Sequence, residues 1–262
     1  MTQTLPALFI SHGPPTLPLE RLAARDFLTG LAASLPARPS AILAVSAHWE
    51  TRDHAVTGAV RQAALYDFYG FPPELYDMTY APQGDPALVQ RVTGLLSEAG
   101  IPAGVDGDRN LDHGVWTPLS LIYPDADIPV VQLSLRAGGD ARHHAGLGAA
   151  LAPLRDEGVL ILCSGNVTHN LGEWQRLMRA GITQTPEWVT SFQEWVADRV
   201  GAGDEAALCG FADHPEGRHN HPTDEHFLPF FVAMGAGGAG TGRRLHDSVC
   251  YTVLAMDAYA FG

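Results

Sequence analysis

Four of the twelve histidines stand where the chain could do chemistry. His12 follows LPALFIS, His48 follows AILAVSA and His169 follows VLILCSGNVT, so each sits just past an apolar run that reads as a strand. His226 opens the apolar stretch FLPFF. In an open α/β sheet, ligands bind in the crevice beyond the carboxyl ends of the strands. Imidazoles delivered there from distant parts of the sequence can converge on one divalent ion, so the pattern predicts a metalloenzyme. A fifth histidine, His113, lies in LDHGVW, where Gly114 permits a tight turn and Asp112 is placed to orient a neighbouring imidazole.

The remaining histidines have weaker contexts. His54, His143, His144 and His246 are expected at the surface or as capping residues. In the run containing His214, His219, His221 and His226, only His226 enters an apolar segment; His221 is the reserve candidate.

Other chemistries find little support. Ser164 stands in CSGN rather than in a GxSxG elbow, and no HExxH is present. The cysteines Cys163, Cys209 and Cys250 are scattered, form no CxxC pair and have no basic neighbour that would activate a thiol. No GxGxxG follows the first strand, and GAGGAGTG at 235–242 lacks the Lys-Ser/Thr of a phosphate loop.

Composition bounds the partners. The chain has 262 residues, 46% of them hydrophobic, enough to bury the core of one domain spanning 1–262. A net charge of -13 argues against nucleic acid or an anionic membrane surface as a partner. A small anionic substrate would need a local positive centre, which a metal can supply. Unpaired cysteines, no basic-then-apolar leader and no apolar stretch of about 20 residues lead to the expectation of a cytoplasmic enzyme.

The elements that must position the histidines alternate between short apolar runs and helical patterns, the mark of an α/β fold. Strands are predicted at 6–11, 41–47, 55–60, 127–135 and 158–166, the last apolar enough to be central. Helices are predicted at 20–35, from Pro86 to Gly100, at 141–157 and at 186–200, with a short buried one in HFLPFFVAMGAG. SVCYTVLAMDAYAF reads as a terminal strand at or near a sheet edge, and 235–242 as a loop. The tyrosine-rich stretch 61–84 has no clean period and reads as an aromatic loop, with 66–80 a potential lid. The expected fold is thus a single α/β domain: a central, mostly parallel or mixed sheet flanked by helices, with the metal site at the carboxyl ends of the strands.

SHGPP at 11–15, SAHW at 46–49, LDHGVW at 111–116, SGNVTHNL at 164–171 and HPTDEHFLP at 221–229 together resemble the 4,5-DOPA extradiol dioxygenase family. That family belongs to the class III extradiol dioxygenases, with the protocatechuate 4,5-dioxygenases. FPPELYD at 71–77 and YPDADIPVVQLS at 123–134 extend the likeness over nearly the whole chain. The resemblance implies a non-haem Fe(II) site and O2-dependent opening of a catechol ring beside its diol. By the same motifs His12, His48 and His226 correspond to the metal ligands. His169 corresponds to the acid/base histidine or a fourth ligand, and His113 to a further site histidine. Two positions depart from the family pattern: Pro14 replaces a serine and Asp224 a proline.

Three imidazoles also suit Zn(II), so iron is expected for activity and zinc is a plausible occupant. Two rivals use the same residues: a zinc hydrolase with His169 or Glu225 as base, and a non-catalytic Memo-like metal-binding protein. Arg61, Arg109 and Arg136 are each candidates to meet a substrate carboxylate, and nothing in the sequence selects among them.

Overall fold

The apolar runs pair into one eight-stranded sheet in the computed structural model, which describes residues 3–238 and 242–262. Its strands are β1 (Ala7–Ser11), β2 (Ala41–Thr51), β3 (His54–Thr57), β4 (Ala103–Asp106), β5 (Val130–Arg136), β6 (Val159–Gly165), β7 (Gly242–His246) and β10 (Ala258–Phe261). The short β8 (Val249–Cys250) and β9 (Leu254–Ala255) pair with each other. Across the sheet the order is β4-β3-β5-β2-β6-β1-β10-β7. The middle strands β5, β2, β6 and β1 run parallel, and the flanks bring in antiparallel pairs. Every residue of β6 is buried, as a strand covered on both faces requires.

Ten α-helices connect and cover these strands among the described residues: α1 (Ala23–Ser34), α2 (Pro73–Asp77), α3 (Pro86–Glu98), α4 (His113–Ile122), α5 (Ala141–Leu151), α6 (Leu171–Arg179), α7 (Glu187–Ala202), α8 (Glu205–Cys209), α9 (Gly217–Asn220) and α10 (Leu228–Gly237). Asp85 and Asp140 cap α3 and α5 by accepting backbone N–H groups, and Pro86 occupies the first turn of α3. α10 is buried along nearly its whole length, which its apolar sequence demands.

Four expectations need correction. His48 does not follow its strand: β2 continues to Thr51. Its pairing with β5 jumps from Val45↔Leu133 to Glu50↔Leu135, so Ser46 to Trp49 face a single partner residue. Such an irregularity bends a strand and re-aims its side chains, and here it carries His48. The C-terminal segment is broken into β8, β9 and β10 rather than one strand, with Tyr251 and Thr252 at positive φ. β10 does lie near a sheet edge, one strand in from β7. In the predicted loop 235–242, residues up to Gly237 end α10 and Gly242 begins β7, while 239–241 lie outside the described residues.

The fourth correction concerns the histidines assigned to the surface. His54 and His144 are buried, and His143 and His246 are half-buried. His54 Nδ1–H donates to the Ser134 carbonyl at 2.9 Å, leaving its Nε2 to accept from His143 Nε2 at 2.9 Å. His144 donates from Nδ1 to the Asp140 carbonyl at 2.8 Å and accepts the Arg136 N–H at Nε2, 3.2 Å away. His246 stacks on Phe27. These are hydrogen-bonded structural imidazoles, a role that becomes visible only when the chain has folded.

Candidate metal centre

The carboxyl ends of β1, β2 and β6 deliver three histidines to one place. His12 follows β1 directly, His48 rides the irregular end of β2, and His169 lies in the turn after β6. His113 enters from the first turn of α4, and His226 from the loop before α10. Ring centroids lie 4.9 Å apart for His12 and His48, 5.5 Å for His12 and His226, and 4.9 Å for His48 and His226. His113 is 3.9 Å from His48 by the same measure, and His169 is 3.4 Å from His226. All five histidines singled out from the sequence are therefore neighbours.

Close backbone approaches make this convergence possible. Gly13 has φ +61, a conformation that turns the chain sharply after His12 and that side chains resist. A Cβ on Gly114 would press on Ser46 Oγ and lie 3.0 Å from His48 Cδ2, so glycine lets α4 begin against β2. Asn166 ties two of the arms together: its N–H donates to the His226 carbonyl at 2.8 Å, and its side-chain oxygen accepts the Gly13 N–H at 3.2 Å.

Hydrogen bonds fix the tautomers. Ser164 Oγ–H donates to the Gly114 carbonyl, so that oxygen accepts from His12 Nδ1–H at 2.9 Å. His12 Nε2 is left as a lone pair, 3.0 Å from His48 Nε2. His226 Nδ1–H donates to Glu225 Oε1 at 2.9 Å, again freeing Nε2. His113 Nδ1 bonds Asp67 Oδ1 at 2.9 Å, and the same oxygen accepts the His113 backbone N–H at 3.1 Å. Such partners hold a ligating or catalytic ring in orientation.

Asp112, expected to orient a ring, does something else. It is fully buried, accepts from Gln132 Nε2 at 2.5 Å and faces Arg109 Nη2 at 3.4 Å. Burial raises its carboxyl above the usual range, against the hydrogen bonds from Gln132 and Ser46. Asp67 takes the orienting role, a residue that nothing in its aromatic surroundings marks out. The reserve candidate His221 is buried behind the site, donating from Nε2 to the Val167 carbonyl at 2.7 Å and stacking on Phe227.

The electrostatics favour neutral rings. Burial, reinforced by neighbouring histidines, holds His12 and His226 well below the ordinary imidazole value. Burial and His113 bring His48 down to about 3, and burial brings His169 to about 4 although Glu225 opposes it. A neutral imidazole offers a lone pair, the form a metal requires. Two sets of ligand atoms each lie within 4.8 Å of one another: those of His12, His48 and His113, and those of His169, Glu225 and His226. Rich in imidazole nitrogen, with His12, His113 and His226 braced through Nδ1, these donors fit a transition ion.

Above the histidines opens a cavity of about 350 Å³, within the range of small-molecule sites. His48, His113, His169 and His226 contribute to its lining, with Pro15, Phe71, Leu171, Trp174, Tyr251 and Leu254 among the apolar walls. Phe68 stands edge-on to His113, so the stretch 61–84 does reach the site. Apart from α2 that stretch is irregular, as its aperiodic sequence predicts. None of Arg61, Arg109 and Arg136 lines the cavity.

An imidazole cluster beneath an apolar pocket, at the carboxyl ends of parallel strands, is a setting for metal-assisted chemistry on a small aromatic molecule. Residues 6–262 match the family described as the catalytic LigB subunit of aromatic ring-opening dioxygenase, and the chain belongs to that family. It is 42% identical over 238 residues to the 4,5-DOPA dioxygenase extradiol of Escherichia coli (strain K12), covering 88% of this chain and 85% of the relative. To the 4,5-DOPA dioxygenase extradiol of Beta vulgaris it is 38% identical, covering 97% and 95%. The crystal structure of an uncharacterized Escherichia coli K12 protein superposes with a TM-score of 0.81 at 36% identity, covering 98% of this chain and all of that one. No helix among the described residues is long and apolar enough to cross a membrane.

Proposed function

We propose that this chain is a metal-dependent extradiol dioxygenase that binds a catechol at the histidine cluster and inserts O2 into the ring next to the diol. The observation that carries this reading is the meeting of five histidines, drawn from five segments, four of which line one apolar cavity while His12 contacts them from outside its lining.

His12, His48 and His226 are the proposed ligands of a divalent iron, with zinc an alternative occupant; His169 is a fourth ligand or a base. Bound iron supplies the positive charge that favours a catecholate and the redox capacity that reaction with O2 needs. His169 is the proposed proton carrier: half-buried at the cavity and neutral through burial, it takes a phenolic proton and returns one to the opening ring. His113, held through Nδ1 by Asp67, is the proposed hydrogen-bond partner of the reacting oxygens. Phe71, Trp174 and the other apolar walls exclude water from the reacting ring.

The hydrolase rival is less well supported. Glu225, its candidate base, is already engaged through one carboxylate oxygen by His226 Nδ1 and by Thr223 Oγ1. The deciding experiment is an oxygen-electrode assay of Fe(II)-reconstituted protein across a catechol panel, with the visible spectrum followed for a yellow ring-opened product. Oxygen uptake matched to product supports the proposal. Turnover of esters or amides that ignores the removal of oxygen defeats it.

A further inference from the structure

The irregular end of β2 leaves His48 outside both of its neighbouring ladders. On one side the pairing with β6 ends at Ser46↔Ser164, and on the other the pairing with β5 jumps from Val45 to Glu50. A strand residue without a register partner needs another group to hold its peptide. Arg109, in the segment between β4 and α4, is that group. Its Nη2 donates to the His48 carbonyl at 3.2 Å, and its guanidinium carbon lies 5.2 Å from the centre of the Trp49 ring. The peptide that joins His48 to Trp49 is thus held at its oxygen and flanked by the same cation on the indole side.

The same nitrogen reaches a second histidine arm. Nη2 also donates to Asp112 Oδ2 at 3.4 Å, and Asp112 is the fully buried residue directly before His113 and α4. Gln132, from β5, donates to that carboxylate oxygen at 2.5 Å, so Arg109 and β5 secure the start of α4 together. The His48 and His113 rings lie 3.9 Å apart between centroids, close enough that a shift of either backbone disturbs both. Arg109 itself lies outside the lining of the cavity above the histidines, so its effect on the site runs through these two arms.

Resting on the ligand assignment above, we infer that Arg109 is a positioning residue of the metal centre. It replaces the ladder bond that β2 gives up at His48 and ties that backbone to the start of α4, so His48 and His113 keep one mutual geometry. Its charge also balances the buried Asp112 carboxylate. Loss of the side chain therefore has two effects, and the test has to separate them.

Co(II) is titrated into metal-free protein against a competing chelator, and its visible spectrum records the ligand geometry. Asp112→Asn keeps the contact between Arg109 and His48 and should bind Co(II) much as the wild type does. Adding Arg109→Met to Asp112→Asn removes that contact without leaving a buried charge unpaired. Affinity should then fall ~10–100-fold below Asp112→Asn, the usual loss when a residue behind a ligand goes, and the Co(II) spectrum should change. Arg109→Met alone should lower thermal stability as well, because Asp112 loses its counter-charge; if it fails to fold, the double variant decides. Equal affinity and an equal spectrum in the double variant and Asp112→Asn overturn the inference and leave Arg109 a counter-ion only. Wild-type protein that binds Co(II) tightly, yet opens no catechol when loaded with Fe(II), removes the dioxygenase reading and not this one. Wild-type protein that binds no Co(II) removes the ligand assignment and this inference with it.

Discussion

His169 lies flat against His226, with ring centroids 3.4 Å apart and planes 9° from parallel. One ring comes from the turn after β6 and the other from the loop before α10, and Glu225 bonds the second of them at Nδ1. A proton held on His169 thus sits beside a ring that the carboxylate already polarises. The stack keeps proton carrier and proposed ligand in one register.

Removing that carrier should separate chemistry from metal binding. His169→Ala is expected to keep its metal, measured by elemental analysis, while turnover falls by a factor of ~10²–10⁴, the usual share of a positioned acid/base group. Activity near that of the wild type would take the proton from His169 and give it to another group.

His48→Ala should act differently. It removes a nitrogen 3.0 Å from His12 Nε2, so stoichiometric metal should be lost and turnover with it. A variant that still carries one equivalent of metal would place His48 outside the ligand set.

Ser164→Ala touches neither metal nor substrate. It removes the acceptor that fixes His12 as its Nδ1–H tautomer. Metal affinity, measured by chelator competition, should fall by ~10–100-fold, the usual loss when a partner behind a ligand goes. Unchanged affinity would show that packing alone orients the ring.

Stability should depend on pH through histidines outside the proposed ligand set. Burial brings His144 to about 4 and His221 to about 3, against 6.5 when unfolded. The unfolded chain therefore binds more protons between those values, so stability is fully present above about pH 6.5 and declines as pH falls toward 4 and 3. His144 shows why: its Nε2 accepts the Arg136 N–H, and protonation would set donor against donor. In denaturant unfolding of metal-free protein, His144→Gln should flatten the slope between pH 7 and pH 5 and cost ~1–3 kcal/mol at pH 7 if the polar partners are left unsatisfied.

The sequence carried the site's floor but not its supports. His12 and His169 were legible because apolar runs of strand length precede them, and strand ends are where α/β folds collect ligands. Their supports left no local trace. Ser164 and His12 are 152 positions apart, and Asp67 and His113 are 46 apart, so only the fold brings each pair together. α4 escaped notice for another reason: it holds Gly114 and Pro118 and is buried on nearly all sides, so it has no amphipathic stripe. His54 and His144 were misplaced because nearby residues do not report burial by distant strands and helices.

Asn166 has a wider consequence. Through one backbone N–H and one side-chain oxygen it joins the turn at Gly13 to the carbonyl of His226, spanning most of the polypeptide. Displacing either arm must drag the other, so the aperture between them behaves as one part rather than two adjustable jaws. Substitutions that retune this pocket should therefore be tolerated along its rim, at Leu171 or Tyr251, long before they are tolerated at the hinge beneath it.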